Sequence, residues 1–75
     1  MEKKTVADAT FTVNGELQPY RGQTIYELLQ SFGFEPDKPG IAIALNAEVI
    51  PRRQWREVRP QPGDQIEIVR AVAGG

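Results

Sequence analysis

The order of local patterns along this chain predicts an α+β domain. One main amphipathic helix packs on one face of a small mixed sheet of four to five strands, and a flexible C-terminal tail follows. Three observations predict it. Short alternating segments bounded by turn residues read as strands in both halves of the chain. One stretch between them has apolar residues at helical spacing behind a capping signal. The sequence has 75 residues, enough for a single core. A core of that size contributes only about 3–5 kcal/mol of net stability, so each apolar face must be used.

Residues 1–8 are polar and without periodicity, and a loose leader is expected there. The domain itself is expected over 9–70. Ala9-Thr10-Phe11-Thr12-Val13 alternates, with Ala9, Phe11 and Val13 on one side, as a half-buried strand does. Asn14-Gly15 follows, the strongest short hairpin signal, because both central residues of a type I′ turn need positive φ. Glu16 to Tyr20 returns as a second strand. Pro19 offers no backbone N–H, which puts this strand at a sheet edge.

Thr24-Ile25-Tyr26-Glu27 reads as a capping box, with a threonine N-cap and a glutamate three residues on. Ile25, Leu28, Leu29 and Phe32 then recur at i, i+3, i+4 and i+7, one apolar stripe facing the core. Gly33 is the expected helix stop. Residues 34–40 form a loop broken by two prolines. Ile41 to Leu45 is a third strand with Ile41, Ile43 and Leu45 on one side and Ala42 and Ala44 on the other. Asn46-Ala47 is a weaker turn than Asn-Gly, since alanine resists positive φ. Glu48 to Ile50 is a short fourth strand closed by Pro51. Arg52 to Pro60 holds four arginines and Trp55 in a turn or short helix. After the turn Gln61-Pro62-Gly63-Asp64, Gln65 to Arg70 is a fifth strand with Ile66 and Ile68 inward. Ala71-Val72-Ala73-Gly74-Gly75 has no strand partner left and is expected to project as a flexible tail. This order resembles the ubiquitin-like β-grasp arrangement.

Composition narrows the chemistry. The chain has no cysteine and no histidine. That excludes a disulfide framework, a thiolate metal site and a cysteine nucleophile, and removes the side chain best suited to proton transfer near neutral pH. An enzyme is not expected, nor a metal site. The net charge of −1 argues against a nucleic-acid partner, which normally calls for a basic excess. No apolar run approaches the ~20 residues of a membrane span. The N-terminus lacks the apolar run of a signal peptide, so the cytoplasm is the expected location.

Four features are candidates for function. First is the Gly74-Gly75 terminus, which ends about five residues free of bulk and charge, a reach of roughly 17 Å when extended. A C-terminal carboxylate is ionised at neutral pH and is a poor acyl donor until activated. Reaction with ATP would give an acyl-adenylate in a site that excludes water. Glycine, without a Cβ, threads such a channel freely. Second is Arg52-Arg53-Gln54-Trp55-Arg56. Stacking and phosphate contact are possible for such a segment, but one tryptophan on a chain of net charge −1 reads better as a core lid with solvated arginines. These could also dock an acidic partner. Third are the carboxylates Asp37, Glu48, Glu57, Asp64 and Glu67, which match no metal or acid–base spacing and read as surface charges. Tyr20 and Tyr26 read as packing residues. Fourth is the face of the sheet away from the helix, with Ala42, Ala44 and Val69. A docking patch and an ordinary sheet surface fit these residues equally well. Arg70 and Val69, at the root of the tail, belong with Ala42 and Ala44 as candidate docking residues.

Several segments in register resemble the ThiS family of sulfur carrier proteins, which serve thiazole formation in thiamin biosynthesis. They are Val13-Asn14-Gly15-Glu16, Gly22-Gln23-Thr24-Ile25-Tyr26-Glu27-Leu28-Leu29, Ala44-Leu45-Asn46, Val49-Ile50-Pro51-Arg52, Gln54-Trp55 and Gly63-Asp64-Gln65-Ile66. The last runs from Val69 through Arg70, Ala71, Val72 and Ala73 to Gly74-Gly75. The leader is longer than is usual in that family, and Ala47 stands where a glycine is common. The resemblance implies a cycle in which the chain binds no cofactor itself. An E1-like adenylating enzyme, using ATP, would adenylate the Gly75 carboxylate. A persulfide supplied through a donor such as a cysteine desulfurase would convert it to a thiocarboxylate. Thiazole synthase would take the sulfur. Gly75 would be the modified residue, with Gly74, Ala73, Val72 and Ala71 threading the partner sites and the free chain a monomer. Three other readings share parts of this pattern. They are the small subunit of molybdopterin synthase, a ubiquitin-like protein modifier, and a β-grasp binding module with an inert tail. The first usually has prolines before its terminal glycines, and Arg70-Ala71-Val72-Ala73 has none.

Overall fold

Strand β1 (Thr10–Val13) and strand β2 (Glu16–Pro19) form an antiparallel hairpin that pairs Val13 with Glu16 and Thr10 with Pro19. The computed structural model describes residues 9–70; the leader, 1–8, and the tail, 71–75, lie outside the described residues. At the turn Asn14 and Gly15 have φ of 51° and 86°, the positive pair a type I′ turn requires. Both strands are one residue shorter than the alternation predicts, yet Tyr20 N–H still donates to Ala9 O at 3.0 Å. Rungs alternate sides, so Pro19 turns its missing donor outward. In the sheet β2 neighbours β1 alone, so that side is an open edge, which is where a proline is tolerated.

Helix α1 covers Ile25–Ser31. The capping box is present in full: Glu27 N–H donates to Thr24 Oγ1 at 3.1 Å, and Thr24 N–H donates to Glu27 Oε1 at 2.9 Å. Two further N–H groups of the first turn have partners from outside the helix. Ile25 donates to Val58 O and Tyr26 to Trp55 O, so the 52–58 segment completes the N-terminus. At the other end Phe34 N–H reaches Leu29 O and Gly33 N–H reaches Gln30 O. With Gly33 at φ 88° this is a Schellman stop.

Phe32 departs from the expected stripe. It is the C-cap residue, 41% exposed, whereas Ile25, Leu28 and Leu29 are buried. It borders an open cleft of about 290 Å³ between α1 and β2, shared with Phe11, Gln18, Arg21 and Leu28.

Strand β3 (Ile41–Leu45) pairs antiparallel with the two-residue strand β4 (Glu48–Val49). The turn between them has Asn46 at φ 51° and Ala47 at φ 71°. The weaker signal thus folds to the same turn type, with alanine in the left-handed region. A 3-10 turn, Arg52–Gln54, leads to Trp55, which is buried and donates from Nε1 to Ile50 O at 2.9 Å.

Strand β5 (Gln65–Arg70) is central, parallel to β1 and antiparallel to β3. The core lies between sheet and helix: Phe11, Val13, Ile43, Ile66 and Ile68 from the strands meet Ile25, Leu28 and Leu29, and Trp55 closes one end.

Candidate functional site

The five residues that would thread a partner site, Ala71, Val72, Ala73, Gly74 and Gly75, lie outside the described residues. What the structure places is their root. The last strand before them occupies the middle of the sheet, and its final residues pair with the start of β3, Val69 opposite Ala42 and Arg70 opposite Ile41.

Side chains of the two hairpin turns also grip β5. Asn14 Oδ1 accepts from Ile68 N–H at 2.8 Å, and its Nδ2 donates to Ile68 O at 3.4 Å. Asn46 Oδ1 accepts from Gln65 N–H at 2.9 Å, and its Nδ2 donates to Asp64 Oδ1 at 3.1 Å. The same residue type at the same turn position therefore holds each end of β5.

Cross-strand partners share a face, which gives the position of each residue in the expected patch. Ala42 pairs with Val69, and Ala44 pairs with both Glu67 and Val49. These residues stand together on the face without the helix. Thr12 joins them with its partners Leu17 and Gln65. Leu17, Val49 and Val69 are 70%, 71% and 57% exposed, so the open face presents three large apolar side chains among alanines. Leu17 and Val49 are additions to the expected set. Arg70 separates from it: its partner Ile41 lies on the helix side, and its guanidinium sits 4.8 Å from the centroid of the Phe34 ring.

The arginine segment works as a set of fasteners. Arg52 stacks over Trp55 at 4.6 Å and donates to Pro36 O. Arg56 stacks over Tyr26 at 4.1 Å and pairs with Asp37 at 3.5 Å. Arg59 donates to Gly22 O. Trp55 is the core lid expected of it, whereas Arg52, Arg56 and Arg59, expected to be solvated, stay exposed but also tie the turn segment to helix and loops. Tyr26 donates to Asp37 Oδ2 at 2.6 Å. That bond leads the causes that hold its phenol above the usual value, so it keeps its proton at neutral pH. Asp64 accepts from Gln61 N–H at 2.8 Å as well as from Asn46. Among the described residues no group of three or more Asp, Glu, His or Cys is placed to hold a metal ion, and no helix is long and apolar enough to cross a membrane.

Comparison with known proteins adds the following. Residues 5–75 match the ThiS family. The chain is 39% identical over 59 residues to the sulfur carrier protein ThiS of Escherichia coli (strain K12), covering 79% of this chain and 86% of that one. It is 31% identical over 64 residues to a thiazole synthase of Paramagnetospirillum magneticum, covering 84% of this chain but 19% of that one. The crystal structure of the thiamine biosynthesis protein ThiS from Geobacter metallireducens matches with a TM-score of 0.71 at 26% identity, covering 88% of this chain and 99% of that one.

Proposed function

The chain belongs to the ThiS family, and from that premise we propose that it carries sulfur for thiazole formation in thiamin biosynthesis, on its own C-terminal carboxylate. Among the described residues, one α-helix on a five-stranded mixed sheet is the ubiquitin-like β-grasp. The observation that carries the reading is that the family match runs through Gly74 and Gly75, directly after the central strand β5. Of the described side chains, Arg52, Arg56, Arg59 and Arg70 are engaged in stacking or hydrogen bonds, Asp37 and Asp64 in side-chain bonds, and Tyr26 holds its proton.

On this reading the chain is a co-substrate of other enzymes. In the site of an E1-like enzyme, a Gly75 carboxylate oxygen attacks the α-phosphorus of ATP, and the bond to pyrophosphate breaks. The mixed anhydride is a good acyl donor where the carboxylate was not. A persulfide on a donor protein, charged by a cysteine desulfurase, attacks the acyl carbon and AMP leaves. A thiol then cleaves the acyl disulfide, releasing the thiocarboxylate and leaving the two donor sulfurs joined as a disulfide. Thiazole synthase takes sulfur from the thiocarboxylate. Gly74, lacking a Cβ, lets the reacting end enter a narrow channel, with Ala73, Val72 and Ala71 behind it.

Two observations favour thiazole synthase as the acceptor. A polypeptide named thiazole synthase contains a stretch similar to 84% of this chain, and a second, from Magnetococcus marinus, a stretch similar to 72% of it. In those proteins a carrier-like segment and the thiazole enzyme share one chain. The open sheet face, with Val69, Ala42, Ala44, Leu17 and Val49, supplies an apolar body contact next to the tail root. Arg70 contributes from the other face, beside Phe34.

The test is ATP–pyrophosphate exchange by the adenylating enzyme from the same genome. Exchange should depend on adding this chain and vanish when Gly75 is deleted, with the melting curve of the shortened chain unchanged. Exchange that persists without Gly75 would refute the reading.

A further inference from the structure

The structure assigns Asn14 a role beyond its turn: it is a positioning residue that holds the root of the tail. This rests on the reading that the Gly75 carboxylate is the reacting group. Strand β1 pairs with β5 only as far as Val13 opposite Ile66, because the chain reverses at Asn14-Gly15. From there on β5 has lost its neighbour on that side. Ile68 turns its N–H and C=O into the vacated space, and the Asn14 side chain meets both, at 2.8 and 3.4 Å. A carboxamide is suited to this because, like a peptide group, it offers an acceptor and a donor at once. Asn14 therefore extends the β1 ladder by one rung made from a side chain.

That rung is two residues before Arg70. Beyond it, among the described residues, β5 pairs only with β3, at Val69 and Arg70. Five residues follow Arg70 up to the C-terminal carboxylate, a reach of roughly 17 Å when extended. A loosened root therefore widens the range of starting points and directions from which the tail enters a partner site, and lowers the share of bound complexes with the carboxylate in place. Displacements of about 1 Å at a reacting atom can cost on the order of a hundredfold in rate.

The molecule supplies its own control. Asn46 has the same φ of 51° and the same acceptor bond to β5, but at Gln65, the first residue of the strand. Asn14→Gly and Asn46→Gly both keep the positive φ their turns need, and each removes one grip on β5. Only the first removes it at the tail root. Two readouts decide. The first is amide exchange at Ile68, Val69 and Arg70, which should accelerate in Asn14→Gly and stay near wild type in Asn46→Gly. The second is single-turnover adenylation by the cognate enzyme with ATP. Asn14→Gly should lower the maximal rate about tenfold with little change in the half-saturating carrier concentration, and Asn46→Gly should leave both unchanged. Asn14→Asp, which keeps the acceptor for Ile68 N–H, should fall between Asn14→Gly and wild type. Equal rate losses in the two glycine variants would mean a general structural effect and overturn the assignment. So would unaltered exchange at Ile68 in Asn14→Gly. If the wild-type chain itself is not adenylated, the functional reading fails, and the exchange result alone decides whether Asn14 holds the root.

Discussion

Ala47 has φ of 71°, where a Cβ crowds the following carbonyl oxygen at a cost of about 1–2 kcal/mol. The turn forms regardless, because Leu45 pairs with Glu48 and Ala44 with Val49 on either side of it. Ala47→Gly relieves the crowding and is expected to raise stability by about 1 kcal/mol, a rise in Tm of roughly 4–8 °C for a chain of this size. A thermal melt checks it, and an unchanged or lower Tm would show that the turn holds no such strain. Tyr26 gives a residue-scale prediction in pH. Its hydrogen bond to Asp37 requires the phenolic proton and raises its pKa. A raised folded-state value means the contribution is intact below the ordinary phenol pKa and is lost as pH rises through the raised one. Tyrosinate absorbance should show a late-titrating phenol that moves to lower pH in Asp37→Ala. An identical titration in that variant would contradict the assignment.

Helix α1 is short, seven residues, so its ends matter more than its middle. Thr24→Ala removes the acceptor for Glu27 N–H and is expected to destabilise by about 1 kcal/mol, read as a lower denaturation midpoint with unchanged slope. No change would mean the partners from 52–58 suffice without the cap. The elements differ in how legible they were. Thr24, Glu27 and Gly33 act through bonds to residues at most five positions away, and the Asn14-Gly15 turn is set by its own two φ angles, so these patterns predicted the local structure closely. The bonds from Asn14 to Ile68 join distant segments, and no local pattern contains them. Phe32 did not follow its pattern because a stripe tells which residues share a helix face, not how far the sheet extends beneath them. Residues 52–60 have no period, so the sequence does not choose between a turn and a short helix there; the 3-10 shape follows from Trp55 being buried and bonded to Ile50 O. The placement of β5 between β1 and β3 is set by contacts between distant segments, which no local pattern contains.

The whole molecule divides its work between a rigid body and the chain end that follows it. The sequence points to the Gly74-Gly75 terminus because its proposed chemistry needs no side chain, and those residues lie outside the described ones. The open face was legible in part: alternation put Ala42, Ala44 and Val69 outward, whereas Leu17 and Val49 join them only through the pairing register. Alternation also predicts that Arg70, next to Val69, faces the helix side, and its stacking on Phe34 agrees. If the open face is the body contact, Val69→Asp should change stability by no more than about 0.5 kcal/mol while weakening binding to the adenylating enzyme, seen by titration calorimetry. Wild-type affinity in that variant would place docking elsewhere. The central claim, that Gly75 is loaded with sulfur, is tested most directly by intact mass spectrometry. The chain is incubated with its adenylating enzyme, ATP and a persulfide donor. The account predicts a product in which one C-terminal oxygen is replaced by sulfur, and a chain that keeps only its unmodified mass under those conditions would contradict it.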